Sequence, residues 1–359
     1  MYFYGVNIGG FTSQADLTEK HLNTFITEKD IIDIKKMGFN IVRLPVDYFL
    51  FESDDKPYVY NEKRMKYVDN VIDWTGKHGI TVILDLHKAP GHSFAFKERD
   101  KNDIWDKKSN SRKRFLKIWE YFAQRYLKVP HIMYEPLNEP VAPKDSQWIS
   151  LAKDAVKAIR KHDKKHWIVV ESNLWGQIAT FKKMKKFSDN KIIYSFHFYE
   201  PLLITHQLAE WVSFYKFNLY RRNVEYPGRP ENVGNLKEEV KKKDDSFASF
   251  LEKQDIYWDK SEIEKLIYEA VKFQKKYKVP VLCGEFGCIA KGSPQTRKNW
   301  TNDVIQIFKK YRISYTYWNY KNMDFGIVDY TKKYRDSPNY ANKERKDYNV
   351  LKALQDGIL

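Results

Sequence analysis

The sequence predicts an α/β fold of the (β/α)8 TIM-barrel type, folded as a single domain over residues 1–359. Eight short apolar runs alternate with longer amphipathic segments along the chain. A length of 359 residues with 42% hydrophobic residues suits one large barrel with a sizeable core. A nucleotide-binding open sheet is disfavoured, because the first run leads into Gly9-Gly10-Phe11-Thr12 instead of a glycine-rich phosphate loop.

The eight apolar runs are the predicted strands, and several are rich in β-branched and aromatic residues. They cover residues 4–8, 41–46, 81–86, 131–137, 167–170, 192–198, 279–282 and 314–318. Helical periodicity predicts helices between them, among them 29–37, 64–77, 150–161 and 262–276. Eight strand–helix units in series favour a closed parallel barrel.

One connection is unusually long and follows the sixth strand at about residues 201–261. It carries several aromatic residues, including Trp211, Tyr226 and Trp258. Barrel enzymes place such excursions over the active site, at the carboxyl ends of the strands. We therefore expect either a wall of a substrate cleft or a surface excursion with a small aromatic core of its own.

The charge pattern weighs against a nucleic-acid-binding protein, and the cysteine content excludes a disulfide-rich protein. The formal net charge is +16, but the short lysine runs are scattered and no nucleic-acid-binding motif accompanies them. This favours a solvated lysine-rich surface over a nucleic-acid partner. Two cysteines, Cys283 and Cys288, cannot form a disulfide framework.

No membrane partner is expected, since the chain has no apolar stretch of about 18 residues. The first residues lack a basic segment followed by a long apolar run, so they do not form a signal peptide. The location is left open between the cytoplasm and secretion after loss of a leader. We expect a monomer.

Two glutamates lie at predicted strand ends. One is followed by a proline that ends the strand, and the other is flanked by glycines that let another group approach closely. Pro140 cannot donate to a sheet and leaves Glu139 at the rim, while glycines flank Glu285 in Gly284-Glu285-Phe286-Gly287. The carboxyl ends of barrel strands meet at one mouth, where catalytic residues lie. Retaining glycoside hydrolysis needs two carboxyl groups about 5–5.5 Å apart, one protonated and one ionised. The pair fits that requirement.

Six strand-end motifs then occur in a fixed order. They are Arg43-Leu44-Pro45, Asp85-Leu86-His87, Asn138-Glu139-Pro140, His197-Phe198-Tyr199, Gly284-Glu285-Phe286-Gly287 and Tyr317-Trp318. In this order the chain resembles glycoside hydrolase family 5, the cellulase-like retaining enzymes of clan A, from Tyr4 to about Asp329. The resemblance implies double displacement on a β-linked polysaccharide, with Glu139 as acid/base and Glu285 as nucleophile.

The resemblance also implies supporting and substrate-binding residues, which are Arg43, His87, Asn138, His197, Tyr199 and Trp318. Arg43 would keep Glu285 ionised, and Asn138 would bind the sugar 2-hydroxyl. Tyr199 would donate to the nucleophile. The alternatives are a structural ion pair of Arg43 with Asp47 or Asp85, and histidines that are simply buried.

The positions of several other side chains in the sequence suggest roles in substrate binding or in the barrel core. His92, Trp175 and Trp211 are further subsite candidates, with core packing as the alternative for each. Glu135 lies four residues before Glu139 and is expected to be a buried structural acid. No metal site and no cofactor are predicted, because no cluster of histidine and acidic residues has ligand spacing in the sequence.

The substrate is less sharply indicated than the reaction. The segment His197-Phe198-Tyr199-Glu200-Pro201 is similar to the endo-β-1,4-glucanase branch. The segment from Asp85 to Gly91 is similar to the exo-β-1,3-glucanase branch, which usually has a small residue where Lys88 stands. We expect an endo-β-1,4-glucanase, with a β-mannanase or β-1,3-glucanase as alternatives. A non-catalytic carbohydrate-binding barrel is the alternative from another class.

Overall fold

A computed structural model describes residues 2–95, 98–212, 224–231, 233, 237–238, 241 and 245–358. Its eight strands close into one barrel in chain order, with β1 beside β8, and this confirms the predicted (β/α)8 fold. The strands are β1 Tyr4–Asn7, β2 Ile41–Asp47, β3 Thr81–Lys88, β4 Ile132–Glu135, β5 Trp167–Glu171, β6 Ile192–Phe198, β7 Val281–Phe286 and β8 Ser314–Tyr317. Neighbouring strands pair in parallel, for example Arg43 opposite Ile83 in β2 and β3.

Helices separate the strands as the periodicity predicted. Among the described residues, the α-helices are α1 Glu19–Thr24, α2 Glu28–Lys36, α3 Glu62–Lys77, α4 Asn110–Arg125, α5 Asp145–His162, α6 Asn173–Gly176, α7 Leu202–Thr205, α8 Asp245–Gln254, α9 Lys260–Tyr277, α10 Pro294–Tyr311 and α11 Tyr348–Asp356. Within the described ranges, no helix is both long enough and apolar enough to cross a bilayer.

Local chemistry explains where the long helices begin. Asn61 accepts a hydrogen bond from the Arg64 N–H at 3.2 Å at the start of α3. Ser109 accepts one from the Arg112 N–H at 3.1 Å at the start of α4. Such caps satisfy amide groups that have no partner inside the helix. The helices then bury one apolar face, as Phe115, Ile118 and Phe122 do in α4.

The barrel interior changes from apolar to polar along the strands. Six side chains from β2 to β7 form an apolar layer near the amino ends, namely Ile41, Ile83, Met133, Val169, Ile193 and Leu282. Side chains two residues further along a strand point the same way. That step leads to buried polar residues, namely Arg43, Asp85, Glu135, Glu171 and Ser195. The polar layer lies next to the strand ends that carry the predicted site.

The chain divides into two compact units. The first contains residues 1–197, 269–285 and 313–317, and therefore nearly all of the barrel strands. The second contains residues 198–268, 286–312 and 318–359. It has an apolar cluster of its own, in which Leu203, Val233, Ala248 and Leu251 are buried. The single-domain organisation, with its excursion at about 201–261, stays a prediction.

Candidate active site

Glu139 and Glu285 come together at the carboxyl ends of β4 and β7. Glu139 follows β4 by four residues, and Glu285 is the second-last residue of β7. Glu139 Oε1 lies 3.1 Å from His197 Nδ1, and Glu285 Oε2 lies 3.5 Å from the same nitrogen. One carboxylate oxygen of each glutamate and one His197 nitrogen all lie within 4.8 Å of one another. The two predicted carboxyl groups therefore share one small volume.

Arg43 of β2 binds the carboxylates from below the mouth. Its Nη1 donates to Glu285 Oε1 at 2.7 Å, and its Nε donates to Glu135 Oε2 at 2.6 Å. Its Nη2 lies 3.0 Å from Asp85 Oδ2 and donates to Asn138 Oδ1 at 2.9 Å. Glu135 is thus the buried structural acid expected from the sequence, and Arg43 is its partner.

This arrangement of charges gives the two glutamates different preferred protonation states. Burial would lower the pKa of Arg43, but Asp85, Glu135 and Glu285 together raise it well above its ordinary value. Arg43 is therefore a permanent cation held against Glu285. Burial, followed by the negative charge of Glu285, raises the pKa of Glu139 well above that of an ordinary glutamate. One carboxyl is paired with a cation, and the other favours its protonated form.

The buried histidines are held in their neutral forms. Burial lowers the pKa of His87 to about 4, and His87 Nδ1 lies 2.7 Å from Asp85 Oδ2. Burial, reinforced by Arg43, lowers the pKa of His197 well below its usual value. Burial lowers the pKa of His92 to about 3, and its ring packs edge-on against Trp105 at 5.6 Å. Neutral imidazoles can donate and accept hydrogen bonds without adding charge.

The predicted aromatic subsite residues have different surroundings. Trp175 is half-buried, and its Nε1 donates to the Phe94 carbonyl at 2.7 Å. In the second unit, Tyr199 and Trp318 belong to one apolar cluster with Phe325. Trp211 of the same unit is 56% exposed. The roles of Tyr199, Trp211 and Trp318 toward substrate stay predictions.

Sequence reasoning missed Glu171, the last residue of β5. Its Oε2 accepts a hydrogen bond from the Glu139 N–H at 3.0 Å and lies 3.5 Å from His197 Nε2. The predicted fifth strand stopped at Val170, one residue too early. Extending the apolar run by one residue would have placed a carboxyl at this strand end, as in β4 and β7.

Metal ligands were not predicted from sequence spacing, but folding brings ligand atoms together in two groups. Glu135, Glu171 and His197 form one, and Glu139, His197 and Glu285 form the other. Arg43 already places a cation against a carboxylate of each group, Glu135 at 2.6 Å and Glu285 at 2.7 Å. A second cation there would be repelled, so we assign both groups to the hydrogen-bonded network of the site.

The family model described as cellulase, glycosyl hydrolase family 5, matches residues 4–324. Endoglucanase C of Acetivibrio thermocellus is 38% identical over 325 residues, which cover 90% of this chain and 92% of that protein. A solved structure described as a glycoside hydrolase is 25% identical and matches with a TM-score of 0.81 over 100% of both chains. Thermotoga maritima Cel5A in complex with mannotriose is 26% identical, with a TM-score of 0.72 over 98% of this chain and 96% of that one. On the fold, the site and these matches, the chain belongs to glycosyl hydrolase family 5, the cellulase family.

Proposed function

We propose that this glycoside hydrolase is an endo-acting β-1,4-glucanase that works with retention, using Glu139 as acid/base and Glu285 as nucleophile. The observation that carries the proposal is the approach of the two carboxyl groups, whose nearest oxygens lie within 4.8 Å. Retaining enzymes hold these groups about 5–5.5 Å apart, whereas inverting enzymes leave about 6.5–9.5 Å for a water molecule. The short separation favours direct attack by one carboxylate on the sugar.

In the first step the Glu285 carboxylate attacks the anomeric carbon, and the bond to the leaving oxygen breaks. Glu139 transfers its proton to that oxygen, and its raised pKa favours the protonated form that this step requires. The product is a glycosyl ester on Glu285 and a shortened sugar chain. Arg43, 2.7 Å from Glu285 Oε1, keeps the nucleophile ionised before the attack.

In the second step Glu139, now a carboxylate, takes a proton from water as the water oxygen attacks the same carbon. The ester bond to Glu285 breaks, and both carboxyl groups return to their starting protonation states. Two inversions at one carbon give net retention.

Asn138 is oriented for a contact with the substrate. Arg43 has only donors, so the Asn138 atom that it meets at 2.9 Å is the amide oxygen. The Asn138 Nδ2 group is buried and has no hydrogen-bond partner in the part of the chain that the structure describes. It can therefore donate to the sugar 2-hydroxyl, a contact that strengthens in an oxocarbenium-like transition state.

The likeness to Endoglucanase C supports a β-glucan substrate and endo action. The likeness to Cel5A, whose solved complex holds mannotriose, keeps β-mannan as the second candidate. β-1,3-Glucan is the third. The presence of both glutamates weighs against a non-catalytic carbohydrate-binding barrel.

A substrate panel tests the proposal. We expect a mixed-linkage or β-1,4-glucan to lose viscosity faster than reducing ends appear, with weaker action on mannan and laminarin. Glu139→Gln and Glu285→Gln should each lower polymer hydrolysis by about 1,000-fold or more. Glu344→Gln, at a side chain that is 60% exposed, is the matched control and should keep full activity. Full activity in either active-site variant would overturn the assignment.

A further inference from the structure

We propose that Glu171 is a positioning residue for the acid/base Glu139, acting on both the main chain of Glu139 and the ring of His197. The inference rests on the proposed role of Glu139 and goes beyond it. Glu171 lies behind the acid, on the neighbouring strand, and no step of the double displacement requires it to touch substrate.

Glu171 is placed to act on Glu139 from two sides. The residue is 1% exposed and ends β5. Its Oε2 accepts the Glu139 N–H at 3.0 Å and faces His197 Nε2 at 3.5 Å. The opposite ring nitrogen, His197 Nδ1, lies 3.1 Å from Glu139 Oε1. The imidazole therefore lies between the two carboxyl groups, and Glu171 is linked to both ends of Glu139.

The main-chain contact matters because Glu139 has an unfavourable backbone conformation. Its φ is +44°, in the left-handed region that residues with a Cβ rarely adopt. Such a conformation persists only where the surroundings hold it. The hydrogen bond from the Glu139 N–H to Glu171 Oε2 is a direct restraint on this peptide, and it fixes where the acid side chain leaves the main chain.

The loop after β5 leaves room for the Glu171 carboxyl, and hydrogen bonds fix the main chain around it. A Cβ on Gly176, whose φ is +64°, would come within 2.1 Å of Glu171 Oε1. Trp148 Nε1 of α5 donates to the Glu171 carbonyl at 2.7 Å. The Trp175 N–H donates to the Pro140 carbonyl at 3.2 Å, which ties this loop to the one that carries Glu139.

The charges around Glu171 favour its neutral form. Burial, followed by Glu135 and Glu139, raises its pKa well above the usual value, against an opposing effect of Arg43. A neutral carboxyl presents a donor to His197 Nε2, which lies 3.5 Å away and has no hydrogen-bond partner in the part of the chain that the structure describes. The ring N–H then lies on Nδ1 and points to Glu139 Oε1, which leaves the other Glu139 oxygen to carry the proton that catalysis uses.

Two substitutions separate this role from a structural one. Both contacts of Glu171 are made by Oε2. Glu171→Gln with its amide oxygen at that position keeps the acceptor for the Glu139 N–H and has no donor there for His197, whereas Glu171→Leu keeps the bulk and removes both contacts. The readout is kcat/KM for two aryl β-cellobiosides, because it reports the first chemical step. A phenyl leaving group needs a proton from Glu139, and a 2,4-dinitrophenyl group does not.

We expect Glu171→Leu to lower kcat/KM about 10- to 100-fold for the phenyl glycoside and less than about 3-fold for the dinitrophenyl glycoside. Glu171→Gln, which keeps the main-chain contact, should lose less than Glu171→Leu on the phenyl glycoside and stay within about 3-fold of wild type on the dinitrophenyl glycoside. Equal losses on both substrates, or equal losses in both variants, would overturn the proposal. Wild-type turnover of both glycosides tests the proposed function separately, since its absence would contradict that function and not this role.

Two further variants keep the test open if Glu171→Leu does not fold. Gly176→Ala leaves Glu171 present but displaces its carboxyl, and it should show the same selective loss on the phenyl glycoside. Asp163→Asn is the structural control at the other end of β5. Asp163 is a buried carboxyl that accepts the Lys165 N–H at 2.8 Å and contacts His166. The Asp163→Asn variant should leave the ratio of the kcat/KM values for the phenyl and dinitrophenyl glycosides unchanged.

Discussion

Arg43 joins groups that are far apart in the sequence. One guanidinium contacts Glu135 at 2.6 Å, Glu285 at 2.7 Å and Asp85 at 3.0 Å, and all four side chains are almost wholly buried. Because a guanidinium presents donors in a fixed fork, these distances also set the orientation of the carboxylates. The same cation therefore stabilises the barrel interior and prepares the nucleophile.

Replacing Arg43 with Lys tests both consequences. A single ammonium cannot reach the positions of Nε, Nη1 and Nη2 at once, so buried carboxylates lose their partners. We expect urea unfolding to show a loss of about 3 kcal/mol, and kcat/KM to fall about 100-fold. Wild-type stability and activity in Arg43→Lys would contradict the account of this residue.

The raised pKa of Glu139 predicts the alkaline side of the pH profile. Glu139 must be protonated to act as an acid, so kcat/KM for the phenyl glycoside should fall as pH rises through its pKa. Glu139→Gln assayed with the dinitrophenyl glycoside, which needs no acid, should lose that limb. An unchanged alkaline limb in this variant would assign it to another group.

At the scale of elements, the catalytic strand ends are anchored by tryptophans from the helices beside them. Trp119 Nε1 of α4 donates to the Pro136 carbonyl at 3.0 Å, just after β4. Trp148 of α5 makes the matching contact with the end of β5 at 2.7 Å. These bonds satisfy carbonyls that have left the sheet ladder, and they fix the points from which Glu139 and Glu171 project.

Trp119→Phe tests this anchor, because it keeps an aromatic ring and removes the donor. A buried carbonyl without a partner costs about 1–3 kcal/mol, which urea unfolding measures. Phe115→Leu in the same helix alters packing without removing a hydrogen bond and serves as the control for activity. We expect only Trp119→Phe to lower kcat, since it alone loosens the segment leading to Glu139. Equal effects on kcat would contradict this.

Strand order, barrel closure and the pairing of Glu139 with Glu285 could be predicted from the sequence, because they follow from apolar periodicity and strand-ending residues. Glu135 was also identified correctly as a buried acid. Its partner Arg43 could not be, since the contact crosses the barrel between residues 92 positions apart. Residues 279–282 were predicted as the seventh strand, whereas β7 is Val281–Phe286. The glycines beside Glu285 predicted a close approach of another group, and the missing side chain of Gly284 does make room for Ser195 and His197.

At the scale of the whole molecule, the net charge of +16 is carried mainly by lysines of the surface. Many of the described lysines pair with exposed acids, such as Lys265 with Glu262 and Lys352 with Asp356. Exposed pairs of this kind contribute little stability and keep the surface well solvated. The positive charge therefore does not require a nucleic-acid partner.

A competition assay tests this view of the surface. Excess duplex DNA at about 150 mM salt should leave the hydrolysis of a neutral β-glucan unchanged, because the lysine runs are scattered along the sequence and no nucleic-acid-binding motif accompanies them. Inhibition that weakens steeply with added salt would instead indicate a specific polyanion site, and poly-glutamate would distinguish a general charge effect from DNA binding.

Trapping the covalent intermediate tests the central claim most directly. In 2,4-dinitrophenyl 2-deoxy-2-fluoro-β-cellobioside, the fluorine slows both chemical steps while the good leaving group lets the first proceed, so the glycosyl–enzyme accumulates. Mass spectrometry of the digested protein should find one fluorocellobiosyl group, on the peptide that contains Glu285, and none in Glu285→Gln. A label on another residue, or an unlabelled enzyme that releases product with inverted configuration, would contradict the account.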